Sequence, residues 1–434
     1  MANRPVPLSA VFAVCALLVG AAVALTWQGL AIAADGSYYL VRILGTDSVY
    51  GPDLRVFANA VRQAPILVAT AAGVTDTHVL TLVQGAGQLL LPAIAWSIAV
   101  ALSRSDRVAF AAIAMTAGLC MGTTWFFNVS ESVLAVPLTI VVAVLLWRPR
   151  AWRWGEAALA AAASTVLVAS YESALVTGVV LAGWAAWRAR RSSVRAETYG
   201  CVLVAALSLV SVLVAVAGTR TGASPAGSQS LLYFVVSLEP WPFYVALAGT
   251  ATVVAGLGPW LHGTLRRVTL GLGGAALVVA LSRLEPSMVT AFQARGGAAA
   301  AGLALSVFLL WRWIRTRSSP GEADTQMSTH LLVAVPIVFV ASMLAVNVQP
   351  VRSWSRSLDA FRSEVDRTDG MIEVPAVLPS NRRDVVWGWT SSSLSLLLRA
   401  DPSAGVLIDR DPSFVPFPPS RAREQLGDEY TWRG

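Results

Sequence analysis

Long apolar runs alternate along the chain with short polar turns. The runs fall at about 8–32, 79–102, 108–124, 129–147, 156–170, 173–187, 198–217, 241–258, 267–282, 297–314 and 329–346. Several approach the roughly 20 apolar residues needed to cross a hydrocarbon core of about 30 Å. Where water is absent, only helices or a closed barrel satisfy the backbone. A barrel would need short segments of alternating polarity, whereas these runs are continuous and rich in Ala, Leu and Val. The pattern therefore predicts an all-α polytopic membrane protein of about eleven transmembrane helices. The segments 108–124, 156–170, 173–187 and 267–282 are short for spans, which calls for tilt, polar extension or re-entrance.

The turns sort into two sets. SRSDR (103–107), RPRAWRWGE (148–156), RARRSSVRAE (188–197), HGTLRR (262–267) and RWIRTRSSPGEADTQ (312–326) all carry arginine. The alternate turns, 33–78, 123–130, 170–173, 218–240 and 282–296, hold fewer basic residues for their length. By the positive-inside rule the first set is cytoplasmic. The N-terminus is then cytoplasmic and residues 347–434 lie outside the cytoplasm, as in a bacterial inner membrane. Arg4, the following apolar run and Ala31-Ile32-Ala33 imitate a cleavable signal, but the run exceeds the usual 7 to 15 residues of a signal core, so an uncleaved first span is expected.

Composition agrees with this division. The chain is 56% hydrophobic and 13% charged, against about 25% charged in soluble domains. The net charge of +7 comes from short arginine clusters between apolar runs, with no lysine anywhere, so it reports topology and not a nucleic-acid surface. Cys15, Cys120 and Cys201 each sit inside an apolar run, so neither a disulfide framework nor a metal motif is expected. His78, His262 and His330 are isolated, which argues against a histidine metal site, and no Walker A sequence is present. GLGG (271–274) lies within an apolar run, where glycine serves close helix packing. Asn128-Val129-Ser130 is formally a glycosylation sequon, but it abuts a span.

Two units are expected: a transmembrane part, 1–346, with a long first external loop at 33–78, and a small extracytoplasmic piece, 347–434. That piece mixes an amphipathic stretch (SRSLDAFRSEVDRTDG), a candidate strand (GVLID) and proline-rich loops. It is too short for a large core of its own and is expected to dock on the membrane part. No internal repeat is visible, which weighs against an inverted-repeat transporter. The serines of TSSSLSLLL (390–398) have no neighbouring histidine and do not suggest a nucleophile.

The candidate chemistry gathers on the external side. Asp35 follows the first run, Glu131 opens the fourth, Glu172 sits between two short runs, and Glu239 and Glu285 each precede a proline. Ionisable groups beside hydrocarbon are costly and mark functional sites by default. For Glu131 and Glu172 the competing reading is an anion placed at a helix N-terminus. In the first loop, DLRVFANAVRQAPILVATAAGV reads as a helix lying along the interface, and its Arg55 and Arg62 suit a lipid phosphate. Plain anchoring to anionic lipid explains the same pattern. Tyr38 and Tyr39 suit sugar stacking or, alternatively, an interfacial aromatic belt.

The acidic residue after the first span, the aromatic pair of DGSYY, the interfacial helix and the external C-terminal piece resemble the GT-C superfamily of integral membrane glycosyltransferases, which take a sugar from a polyprenyl-phosphate carrier. The resemblance implies that Asp35 is the catalytic base. Arg42, Arg55, Arg62 and Arg295 would stabilise the departing phosphate, and Tyr38, Tyr39, Glu131 and Glu172 would bind donor or acceptor. It implies as partners a polyprenyl-phosphate-linked sugar, a glycan, lipid or protein acceptor, and membrane lipids. No cofactor is required beyond the lipid-phosphate donor. Gly36 stands where many members carry a second acidic residue, which weakens any paired-carboxylate or metal-bridging role and leaves divalent-metal use open. A transporter or flippase of lipid-linked glycan, a glycan polymerase or ligase, and a non-catalytic assembly subunit are the rival functions.

Overall fold

A computed structural model of the chain describes residues 5–33, 35–51, 55–124, 132–170, 174–220, 241–257, 263–283, 298, 301–314, 329–367, 372–373, 390–398 and 407–408. The described residues are almost entirely helical. In order they form α1 (Leu8–Trp27), α2 (Gly36–Thr46), α3 (Val56–Ala71), α4 (Thr77–Gly85), α5 (Leu91–Leu102), α6 (Arg107–Thr124), α7 (Ser132–Trp147), α8 (Trp154–Leu167), α9 (Ala174–Arg191) and α10 (Arg195–Arg220). There follow α11 (Trp241–Leu257), α12 (Gly263–Arg283), α13 (Ala301–Ile314), α14 (Thr329–Ala345), α15 (Val348–Arg367) and α16 (Ser391–Leu398). Each apolar run of the sequence contains one of these helices. A two-residue parallel bridge, Ile372–Glu373 with Leu407–Ile408, falls partly where GVLID predicted a strand. Glu131, Glu172, Glu239, Glu285, Arg295 and the Asn128 sequon lie outside the described residues.

Among the described residues three helices are long and apolar enough to cross a membrane: Leu8–Trp27, Thr77–Ser105 and Arg195–Gly218. Shorter apolar helices include Arg107–Gly122, Ser132–Trp147, Ala301–Ile314 and Leu332–Ala345. The second of the long helices joins α4 to α5 through one π-helical turn, Ala86–Leu90. The surface carries an apolar population that a water-exposed protein would bury: Phe12 is 74% exposed, Leu213 67% and Val278 68%. Exposed large apolar side chains in such number suit a surface that meets lipid or another protein.

Close packing relies on small residues. A Cβ added to Gly273 would stand 2.9 Å from the Val253 nitrogen and 3.0 Å from the Gly249 carbonyl, so α11 and α12 approach backbone to backbone. Within GLGG it is Gly273 that serves the packing role its sequence context predicted, while a Cβ at Gly271 or Gly274 would meet nothing within 4 Å. Gly118 and Gly122 give α6 the same intimacy with α14, at Val340 and Met343.

The helix ends gather into two groups. At one end the Val6 N–H donates to the Arg104 carbonyl, and Arg312 of α13 reaches the N-terminus of α6. There Asp106 does two jobs. One carboxylate oxygen accepts the Val108 and Ala109 N–H groups and caps α6, while the other accepts Arg312 Nε at 2.8 Å and Nη2 at 2.6 Å. Arg188 is 2% exposed and completes α7 in a comparable way. Its guanidinium donates to the Leu145, Leu146, Arg148 and Arg150 carbonyls, pairs with Glu197, and lies 5.5 Å from the Trp152 ring centroid. The last four carbonyls of a helix have no partner within it, so this one side chain supplies donors that the helix lacks. Trp187 and Trp313 meet edge to face at 4.2 Å beside it. The turns read as orientation signals therefore also hold arginines that lock helix ends together.

Removing one member of a buried ion pair strands the other. Arg188→Ala should lower stability by about 3–5 kcal/mol, read as a fall in the thermal midpoint of the detergent-solubilised protein.

Candidate functional site

The other group of ends holds Asp35. Helix α1 stops where Gly29 takes a left-handed conformation (φ 68°), which a residue with a Cβ adopts only at a cost. A buried 3₁₀ turn, Leu30–Ile32, redirects the chain into α2. Asp35 stands at the N-cap position of α2 with helical backbone angles (φ −70°, ψ −12°), and its side chain makes no capping bond. Its backbone carbonyl accepts the Tyr39 N–H at 2.9 Å, and its side chain is half-buried. Helix α2 itself was not anticipated in the sequence, where 33–52 reads as loop.

The turn is fixed from beneath. Gln84, fully buried in the last turn of α4, donates through Nε2 to the Ala31 carbonyl at 3.0 Å and to the Gly36 carbonyl at 2.8 Å. These two carbonyls flank Asp35 on either side. One amide from a membrane-length helix thus pins both arms of the turn that presents the carboxylate. Gln84 and Gln88, four residues apart in an otherwise apolar run, are both buried, and their spacing was the sequence signal that could have found them. From the C-terminal region, α16 packs on α2, and Ser37 Oγ donates to the Thr390 carbonyl. Ser393 and Ser395 of TSSSLSLLL are buried there beside Leu394, Leu396 and Leu397, a structural use of that stretch.

Beside the turn, Tyr38, Tyr39 and Tyr50 form a three-ring cluster with centroid separations of 5.5–6.3 Å and near-perpendicular planes. Tyr38 and Tyr50 share a hydrogen bond between their hydroxyls at 3.0 Å, and Arg42 Nε donates to the Tyr38 hydroxyl at 3.1 Å. The Arg42 guanidinium also sits 5.4 Å from the Tyr38 centroid and 5.5 Å from that of Tyr50, within cation–π range. Tyr38 is buried, so it belongs to this cluster and not to a lipid-facing belt. Tyr50, which the sequence did not single out, is held by Gln63, whose amide accepts the Tyr50 N–H at 2.8 Å and donates to its carbonyl. Burial and the Tyr38 hydroxyl push the Tyr50 phenol up to about 12, and Arg42 opposes them.

Helix α3 corrects an expectation. It was expected to lie along the interface as a surface helix, with Arg55 and Arg62 at the mouth of a cavity. Instead Asn59, Arg62 and Gln63 are buried, with Arg62 at 1% exposure, while Val56, Phe57 and Val68 face outward. The helix is inverted relative to one lying on a soluble core. Its polar stripe turns inward because its partners are there: Gln63 reaches Tyr50, and the Arg62 carbonyl presses against Gly87 of the π turn. Arg55 starts α3, half-buried. Asp76 caps α4 by accepting the His78 and Val79 N–H groups. Asp35, Tyr38, Tyr39, Arg42, Arg55 and Arg62 thus fall on the consecutive elements α2 and α3, braced by α4.

Among the described residues no three His, Cys, Asp or Glu side chains come together as metal ligands. No protein-family model, curated protein or solved structure matches the chain.

A Cβ at Gly87 would lie 1.8 Å from the Arg62 carbonyl oxygen, so Gly87→Ala must displace α3. It should cost about 1–3 kcal/mol of stability, seen as a lowered thermal midpoint. Since Tyr50 is raised, its folded-state advantage is complete below the ordinary tyrosine value of about 10 and is lost as pH climbs through about 12. Tyrosinate absorbance should show a late-ionising phenol in that window, and Tyr50→Phe should remove it.

Proposed function

We propose that this protein is a membrane glycosyltransferase of the GT-C type, moving a sugar from a polyprenyl-phosphate donor to a glycan, lipid or protein acceptor outside the cytoplasm. In this reading about eleven spans carry the chain through a bacterial inner membrane, with the N-terminus cytoplasmic and residues 347–434 external. The observation that carries the reading is the clamped turn: a half-buried carboxylate, Asp35, where a membrane-length helix ends, flanked by two carbonyls that Gln84 holds. The outward apolar surfaces, α3 included, support a lipid environment around it.

The chemistry asks little more than this. Asp35 takes the proton of the acceptor hydroxyl as that oxygen bonds to the anomeric carbon. The bond from that carbon to the carrier phosphate breaks in the same inverting displacement, and the phosphate leaves with both bonding electrons. Arg42, Arg55, Arg62 and Arg295 are the cations proposed to stabilise it. Tyr39, half-buried at the edge of the ring cluster, is the aromatic best placed for a sugar. Glu131 and Glu172 are proposed to bind donor or acceptor hydroxyls. A carboxylate on a turn pinned on both sides by Gln84 is held in position for the reaction, which is where positioned groups gain their advantage.

Purified protein in nanodiscs should consume one member of a panel of polyprenyl-phosphate sugars, followed by mass spectrometry with and without divalent cations. Asp35→Asn should lower that turnover by about 10²–10⁴-fold while leaving donor retention intact. Equal turnover by the variant would remove Asp35 as base. Donor transport without a new glycosidic bond would replace the transferase with a carrier.

A further inference from the structure

A second feature lies on the flank of the same end, away from Asp35. Helix α15 begins three residues after α14 and is strongly two-sided. Trp354, Ser357, Phe361 and Val365 are buried, whereas Arg352, Arg356 and Asp359 are exposed. Between α15 and the last turns of α1 and α14 runs an open cleft of about 700 Å³. Its floor is apolar: Ala21, Ala24 and Leu25 of α1, Leu344 of α14, and Val348 and Val351. Its rim is polar, and Arg352 and Arg356 stand there one turn apart.

The rim is built. Ser355 Oγ donates to Gln28 Oε1 at 2.6 Å, tying α15 to the end of α1, and Asn347 Nδ2 donates to the Gly122 carbonyl at 3.0 Å. Arg356 Nε makes a long bond, 3.3 Å, to the Arg352 carbonyl. Among the described residues no carboxylate pairs with either guanidinium, although Asp359 lies on the same helix. Two cations over an apolar trough match an anion joined to hydrocarbon, and guanidinium fits phosphate oxygens with paired donors.

We infer that this cleft seats an anionic glycerophospholipid, its phosphate on Arg352 and Arg356 and an acyl chain along the α1–α14–α15 trough. None of the cleft residues belongs to the Asp35 cluster, so this seat is separate from the one proposed for the sugar carrier. A headgroup with net negative charge is favoured because a zwitterionic one brings its own cation to two guanidiniums.

The test uses full-length protein in detergent, with phosphatidylglycerol, phosphatidylcholine and polyprenyl phosphate added separately and retention read by native mass spectrometry. Wild type should retain phosphatidylglycerol at least tenfold better than phosphatidylcholine, and Arg352→Gln with Arg356→Gln should erase that preference. Ala24→Phe, which fills the trough from an exposed position, should lower retention with both arginines intact, and it serves if the double variant does not fold. Equal retention of the two phospholipids overturns the inference, as does undiminished retention by both altered proteins. Arginine-dependent binding of polyprenyl phosphate alone would reassign the cleft to the carrier. A twofold increase in mass in place of lipid adducts would make it a contact between two copies.

Discussion

A polar group buried away from water must find its hydrogen bonds within the protein, and this single constraint accounts for most of the polar architecture of the described residues. A helix end buried against other helices leaves backbone N–H groups or carbonyls without partners, and neighbouring side chains supply them. Arg188 answers for α7, Asp106 together with Arg312 answers for α6 and α13, and Gln84 answers for the turn between α1 and α2. Arg188, Arg312 and Gln84 are long polar side chains delivered from a neighbouring helix, while Asp106 caps its own. The bundle is held at its ends by these cross-helix bonds and along its length by small residues that let backbones touch.

The same constraint explains why α3 is inverted. In water a loop helix would turn Asn59, Arg62 and Gln63 outward and Phe57 inward. Here the order is reversed, and the polar stripe becomes a wall behind the tyrosine cluster. Arg42, Tyr38, Tyr39 and Tyr50 then form a compact cationic and aromatic unit next to Asp35, with Gln63 fixing its far edge. Burial here organises chemistry as much as stability.

Much of this was legible in the chain. The period and length of apolar runs located the helices, because hydrophobicity over twenty residues is a strong signal. Asp35 stood out because a carboxylate at the end of such a run is conspicuous. Tyr50 did not, since its role depends on a fold-back that brings residue 50 over residues 38 and 39. Helix α2 was missed because Gly36 and Ser37 at its start read as turn, and only packing under α16 and over Gln84 makes it helical. The direction in which α3 faces could not be read either. Amphipathic spacing gives two faces, and which one turns inward depends on what lies behind it. Glu131, Glu172 and Arg295 lie outside the described residues, so their share of the cluster stays with the sequence argument.

The Gln84 clamp has a mechanical meaning. Because one amide of a membrane-length helix grips both sides of the Asp35 turn, the height of that carboxylate is set by the helix and not by the loop. The helix is 29 residues long, roughly 43 Å at about 1.5 Å per residue, and so outreaches a hydrocarbon core of about 30 Å. In the proposed membrane a helix of that length would be accommodated by tilt, set by the helices it packs against. In that setting the tilt of one helix, and not the length of a loop, would decide how deep Asp35 stands.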